Sequence, residues 1–234
     1  MKVVVVTGGS RGIGAATVTK FAKNGYTVIA VYNNGRQQAE ALAAKLNDMG
    51  CDVHPMHADL SDTKQIADLF AQIGTYFKKI DVLVNNAAMS VSGLMQDIDL
   101  QTLDKIWAVN ARAPYLCCAN ALPLLQKSTN AAVVNVSSVW GLWGASCEAA
   151  YSMTKHAVIG LTRSVAEEWN DVPVRVCCVC PSFVPTDMTA RYTEQDIALF
   201  EREYGVRAYT PEEVATDIYA LAVHGENGTI KMEK

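Results

Sequence analysis

The stretch that most constrains this chain is Val3-Val4-Val5-Val6 running directly into Thr7-Gly8-Gly9-Ser10-Arg11-Gly12-Ile13-Gly14. A β-branched run without polar alternation reads as a strand buried on both faces, here Lys2–Val6. A helical pattern follows from Ala15 to about Lys23 and closes at Asn24-Gly25. The glycines therefore lie between a strand and a helix. There they let the backbone turn tightly and let a pyrophosphate approach it. The helix N-terminus adds free N–H groups and the positive end of a dipole. The spacing is Gly8-x-x-x-Gly12-x-Gly14, not the commoner G-x-G-x-x-G.

The same alternation continues. Tyr26–Tyr32 reads as a second strand, Gln37–Met49 as a helix, and Asp52–His57 as a third strand. Helix 62–77, with Ser61 as its expected N-cap, leads to strand Asp81–Val84. A long helical region, Asp99–Gln126, contains Pro114, which removes a backbone N–H and is expected to bend it. Strands Ala131–Val136 and Pro173–Val179 flank helix Tyr151–Trp169. Helices Glu194–Tyr204 and Glu212–His224 and a brief strand at Gly228–Met232 close the chain. The predicted class is α/β: a single-domain doubly wound Rossmann fold, residues 1–234, with a parallel sheet of about seven strands flanked by helices. Residues 188–210 are expected to form a lid over the substrate.

Composition narrows the function. With 234 residues, half of them hydrophobic, the chain can build one sizeable core. A net charge of −4 with no basic block argues against nucleic acid and against an anionic membrane surface. No apolar run reaches the ~18 residues of a membrane helix, and the first apolar run is too short for a signal peptide. A cytoplasmic protein is expected. The seven cysteines are odd in number and sit in apolar segments, which argues against a disulfide framework. Cys177, Cys178 and Cys180 alternate along a strand, so the three thiols should not converge on a metal, and no metal site is expected.

The strand ends carry the candidate site. The second ends in Tyr32-Asn33-Asn34-Gly35-Arg36, without the acid that would bond the ribose 2′-hydroxyl of NAD. Arg11 and Arg36 offer cations for a 2′-phosphate, so NADP(H) is expected in preference to NAD(H). Asp59-Leu60 follows the third strand, Asn85-Asn86-Ala87-Ala88 the fourth, and Ser137-Ser138 the fifth. Tyr151 and Lys155 stand four apart on a helix and share a face, where an ammonium is expected to stabilise a phenolate.

With these motifs in this order, the chain resembles the short-chain dehydrogenase/reductase family over nearly its whole length. The carriers are Thr7-Gly8-x-x-x-Gly12-x-Gly14, Asp59, Asn85-Asn86-Ala87-Ala88, Asn110, Ser138 and Tyr151-x-x-x-Lys155. It looks most like the 3-oxoacyl-(acyl carrier protein) reductase type, on Gly9–Gly14 and on Phe183-Val184-Pro185-Thr186-Asp187-Met188. The resemblance implies hydride transfer between a nicotinamide and a small carbonyl or alcohol substrate, a carrier-bound acyl group among them. Tyr151 would be the general acid or base, and Ser138 would orient the carbonyl oxygen. Lys155 would lower the tyrosine pKa and bond the nicotinamide ribose, and Asn110 would hold a water linking Lys155 to solvent. Asp59 would contact adenine, and Asn86 the nearby ribose. The other expected cofactor contacts are Gly8, Ser10, Arg11, Gly12, Ile13, Gly14, Asn33, Arg36, Leu60, Ala87, Pro181, Val184 and Thr186.

Two departures stand out. Pro181-Ser182 replaces the usual Pro-Gly, so Ser182 must accept a glycine's geometry or shift the loop. The tail, Gly228 to Lys234, is shorter than in tetrameric relatives, which leaves homodimer and homotetramer both open. Trp140, Trp143 and Cys147 offer either an aromatic substrate wall or plain packing. A cofactor-binding sensor without turnover is the alternative of a different class. An epimerase or dehydratase of the extended relatives would need a larger substrate domain.

Overall fold

The computed structural model describes residues 1–232; Glu233 and Lys234 of the tail lie outside the described residues. Seven parallel strands form one sheet in the order β3-β2-β1-β4-β5-β6-β7. They are β1 (Lys2–Thr7), β2 (Tyr26–Tyr32), β3 (Asp52–His57), β4 (Val82–Asn85), β5 (Ala131–Val136), β6 (Val174–Cys180) and β7 (Ile230–Met232). The helices are α1 (Gly12–Lys23), α2 (Arg36–Asp48), α3 (Thr63–Phe77), α4 (Leu100–Trp107), α5 (Ala113–Leu125), α6 (Ala149–Glu168), α7 (Glu194–Tyr204) and α8 (Pro211–His224).

The valine run of the first strand does what its pattern requires. Val3 and Val5 face a layer with α3, α5 and α6, packing with Ile66, Ile73, Leu125 and Val165. Val4 and Val6 face the other layer, with Val18 and Phe21 of α1 and Val214 and Ile218 of α8. Both faces are dry because helices cover both. Each fully buried aliphatic or aromatic side chain contributes roughly 1.5–3 kcal/mol. The chain reverses its winding direction between β1 and β4, so a crevice opens at their carboxyl ends, where open α/β sheets bind ligands.

Two expectations are corrected. Ser61 is not the cap of α3: Asp62 is, accepting N–H bonds from Lys64 at 2.8 Å and Gln65 at 3.3 Å, while Ser61 turns back to donate to Asp59. A carboxylate one residue closer to the helix wins the free N–H groups. Helix 99–126 is not continuous. It is broken into α4 and α5 by a π-helical stretch, Ala108–Arg112. In an α-helix the residue at 114 would donate to the Asn110 carbonyl; Pro114 has no N–H, and the backbone widens just before it. The cysteines of β6 divide by face: Cys177 packs toward α8, whereas Cys178 and Cys180 share the other face with their sulfurs 4.0 Å apart. Two thiols thus approach each other, but among the described residues no group of three or more His, Cys, Asp or Glu is placed to hold a metal ion. No helix there is long and apolar enough to cross a membrane.

Candidate active site

The crevice is a single cleft of about 1130 Å³. One end is the glycine cradle. Gly8 and Gly12 take left-handed backbone angles, φ 66° and 53°, which a Cβ would strain. A Cβ on Gly14 would stand 2.0 Å from the Gly8 carbonyl oxygen. Helix α1 begins at Gly12, so the glycines supply its first turn rather than merely preceding it. That turn contains no acidic residue to repel an anion. Asn86 locks the cradle: its Nδ2 donates to the carbonyls of Thr7 at 2.9 Å and Gly8 at 3.2 Å. Thr7 Oγ1 accepts in return from the Asn86 and Ala87 amides at 2.9 and 3.0 Å. A backbone this open, rigid and unobstructed fits the pyrophosphate of a dinucleotide.

Along the cleft, Ser10, Arg11, Asn33, Asp59 and Leu60 line the wall beyond the cradle. Burial pushes the Asp59 carboxyl up, but hydrogen bonds from the Ser61 amide and hydroxyl outweigh it and leave Asp59 below the usual carboxylate range. Arg11 reaches Asp187 Oδ2 at 3.6 Å, both side chains being well exposed. Arg36 does not line the cleft. Its Nε is bonded to Glu40 Oε1 at 2.7 Å, one turn along α2. Of the expected site residues, only Arg36 and Asn110 are absent from the cleft lining.

The other end brings together Ser138, Tyr151 and Lys155. Ser138 follows β5, and its Oγ accepts from the Trp140 amide at 3.2 Å. Tyr151 and Lys155 project from α6. Lys155 is buried, and its Nζ donates to the Val136 carbonyl at 2.9 Å while lying 5.5 Å from the Tyr151 ring centre. Burial lowers the Lys155 pKa to about 8. The spacing predicts a phenol made more acidic by this ammonium; burial works against that effect. Burial, followed by the Glu148 carboxylate, pushes the Tyr151 phenol above its ordinary value, with the hydrogen bond to Ser138 opposing them. The ammonium is aimed at a backbone carbonyl rather than at the phenol oxygen.

Asn110 sits in the π-helical stretch with its side chain fully engaged. Oδ1 accepts from the Met89 amide at 2.9 Å, and Nδ2 donates to the Met89 carbonyl at 2.8 Å and Thr154 Oγ1 at 3.1 Å. It fastens the loop after β4 to α6. Ser182 is not strained: among the described residues, the only non-glycines at positive φ are Lys78 and Cys147. Its hydroxyl donates to the Arg207 carbonyl.

Residues 187–204 supply much of the remaining wall, including Met188, Arg191, Tyr192, Leu199, Phe200 and Tyr204. The tryptophans combine the two roles open in the sequence. Trp140 lines the cleft and meets Phe200 and Tyr204 edge-on at 5.3 and 5.1 Å, while Trp143 stacks on Tyr204 at 5.6 Å. The residue that motif reading passed over is Glu148, a buried acid three positions before Tyr151 and part of the cleft wall. Its signal was a lone charge in Gly144-Ala145-Ser146-Cys147-Glu148-Ala149-Ala150.

A family model described as short chain dehydrogenase matches residues 2–197. The chain belongs to this family. It is an enzyme of the short-chain dehydrogenase/reductase class. It is 32% identical over 194 residues to a 3-oxoacyl-[acyl-carrier-protein] reductase of Staphylococcus aureus, covering 83% of this chain and 79% of that protein. Solved structures agree. A putative NAD(P)-dependent gluconate 5-dehydrogenase from Beutenbergia cavernae, with bound NADP, superposes with a TM-score of 0.92 at 27% identity, covering 99% of this chain and 94% of that one. A short-chain dehydrogenase from Burkholderia cenocepacia in complex with NADP gives 0.91 at 25% identity, covering 100% and 96%.

Proposed function

We propose that this short-chain dehydrogenase/reductase is an NADP(H)-dependent carbonyl reductase in which Tyr151 is the general acid, and the general base when an alcohol is oxidised. The observation that carries the proposal is one continuous cleft, with the glycine cradle at one end and Ser138, Tyr151 and Lys155 at the other. The bound nicotinamide supplies the hydride. The protein's own residues manage the oxygen. Tyr151 keeps its proton at neutral pH and gives it to the carbonyl oxygen as charge develops there. The Ser138 hydroxyl donates to the same oxygen and fixes its position. Lys155, mostly charged below pH 8, holds the ribose side of the site and stabilises the phenolate once the proton has gone. With the Asn110 side chain spent on Met89 and Thr154, a proton-relaying water falls to its backbone carbonyl in the π-helical stretch.

Preference for NADP(H) is supported by the absence of an acid after β2 and by Arg11 in the cleft wall. The similarity to a 3-oxoacyl-[acyl-carrier-protein] reductase makes 3-oxoacyl thioesters the first carbonyls to try. Residues 188–210 act as the lid of this one catalytic domain, and the working location is the cytoplasm. Exposed apolar side chains at Trp107, Tyr115 and Met153, on α4, α5 and α6, favour a homodimer or homotetramer, which light scattering would measure. The central test is NADPH and NADH consumption across a ketone panel that includes acetoacetyl thioesters. Tyr151→Phe should lower turnover by about 100-fold or more and leave NADPH affinity intact. A Tyr151→Phe enzyme as fast as the parent would refute the mechanism; cofactor binding with no turnover on any substrate would favour a sensor.

A further inference from the structure

Glu148 stands immediately before α6, and its side chain is only 6% exposed. Its Oε1 accepts from Arg191 Nη2 at 2.7 Å and from the Tyr192 hydroxyl at 3.1 Å. Arg191 also donates to that hydroxyl at 2.9 Å and lies over the Tyr192 ring at 4.9 Å, closing a triangle. On its remaining sides the carboxylate meets Ser92, from the loop after β4, and Tyr151, from α6 itself. Arg191 and Tyr192 lead into α7, a helix that buries none of its residues. The segment is also tied by rings, Phe200 and Tyr204 to Trp140 and Tyr192 and Phe200 to Phe183, and by Glu201 Oε1 accepting from the Ala208 amide at 2.6 Å.

We propose that Glu148 is a positioning residue that couples the seating of residues 190–204 to the proton held by Tyr151. This rests on the proposed role of Tyr151 as proton donor. A carboxylate this buried is costly without its cation, so lifting Arg191 away is resisted by the charge left behind. While the segment is seated, Glu148 stays ionised and its negative charge opposes a phenolate three residues on. The proton therefore remains on Tyr151 until a carbonyl oxygen takes it. When the segment lifts, water reaches Glu148 and screens its charge, so its push on the Tyr151 phenol weakens. Seating and phenol acidity bias each other, as linked equilibria must.

Glu148→Gln keeps the shape and an acceptor for Arg191 but removes the charge. In ketone reduction it should move the alkaline limb of the pH–rate profile, which Tyr151 and Lys155 set together as a pair, down by about half a unit or more, since a nearby negative charge that favours both protons has gone. Arg191→Ala should speed amide hydrogen exchange in residues 193–204 by about tenfold or more in the protein without substrate, and Arg191→Lys should restore part of the protection. A Glu148→Gln limb that overlays the parent, even with a changed Tm, would leave Glu148 merely structural and overturn the coupling. So would Arg191→Ala exchange within about twofold of the parent. A parent that turns over no carbonyl at all would instead defeat the catalytic reading, and the coupling with it; the exchange result, which needs no turnover, tells the two failures apart.

Discussion

Lys155 Nζ donates to the carbonyl oxygen of Val136 at 2.9 Å, which anchors the ammonium to the last residue of β5. The site thereby keeps a buried cation whose pKa falls from 10.5 to about 8 through burial. Because the folded value lies below the unfolded one, the cost of burying this charge is fully present below pH 8. It fades as pH rises from about 8 toward 10.5. Activity that needs the ammonium should fall as pH rises through about 8. Lys155→Met should abolish turnover yet stabilise the fold at neutral pH. The charge costs on the order of 3 kcal/mol, and the lost bond to Val136 offsets about 1 kcal/mol of that gain. A Tm increase of a few degrees in a thermal melt would bear this out; a decrease would contradict it.

The glycine cradle allows a matched pair of variants. At Gly14 an added Cβ would stand 2.0 Å from the Gly8 carbonyl, so the backbone itself must move. Gly14→Ala should weaken NADPH binding at least tenfold and cost about 1–3 kcal/mol of stability. Gly25 is also left-handed, at φ 77°, but its Cβ would meet nothing within 4 Å. Gly25→Ala should cost only about 1–2 kcal/mol of backbone strain and leave NADPH affinity unchanged. Cofactor titration and denaturant melts on both variants separate cradle geometry from general destabilisation.

Arg11 and Arg36 looked equivalent as phosphate ligands, but only Arg11 lines the cleft. Its contact with Asp187 at 3.6 Å joins two exposed side chains and is worth little. Arg11 is therefore available to a 2′-phosphate. Arg11→Ala should reduce the NADPH/NADH ratio of kcat/KM by about tenfold, the size of a charge-assisted hydrogen bond. Arg36→Ala should change it by less than about threefold. Equal effects of the two substitutions would mean that Arg36 leaves Glu40 when NADPH binds.

Asp81 joins the amino-terminal ends of three strands. Its carboxylate accepts from the Val3 amide at 2.7 Å, Lys79 Nζ at 2.9 Å and Ser128 Oγ at 2.6 Å. Burial pushes this carboxyl up, but the three donors outweigh it and hold it below the ordinary 3.8. The stabilisation is thus present above pH 3.8 and is lost as pH falls through the lower folded value. Asp81→Ala should cost about 2–4 kcal/mol at pH 7, because buried donors lose their acceptor. The gap from the parent should narrow below about pH 4. Urea melts at both pH values measure it.

Much of the architecture was legible in local pattern. Val3–Val6 can be buried only if both faces of a sheet are covered. The alternation of such strands with helical stretches then leaves a doubly wound sheet as the consistent arrangement. Tyr151 and Lys155 were readable because a helix places residues four apart on one face. Errors arose where two local solutions compete closely. Ser61 and Asp62 are both good caps, and the carboxylate prevailed by position. Around Pro114 the missing N–H signalled a disturbance, but not that it would become a π-helical stretch anchored by the Asn110 side chain.

Arg36, Glu148 and Arg191 were not decided locally at all. Arg36 stands beside Gly35 in the chain, yet its guanidinium found Glu40 one helical turn away. Glu148 and Arg191 are 43 positions apart, and their ion pair depends on the path of the chain after β6. The sequence alone determined the order of strands and helices, the glycine cradle and which groups are proposed to handle phosphate and proton, since each depends on spacing within one turn or one loop. Only the tertiary structure decided which charges face the cleft, where the Lys155 ammonium points, and that a buried acid stands beside the Tyr151 phenol. Burial and long-range pairing set those energies, and both exist only once distant segments have packed together.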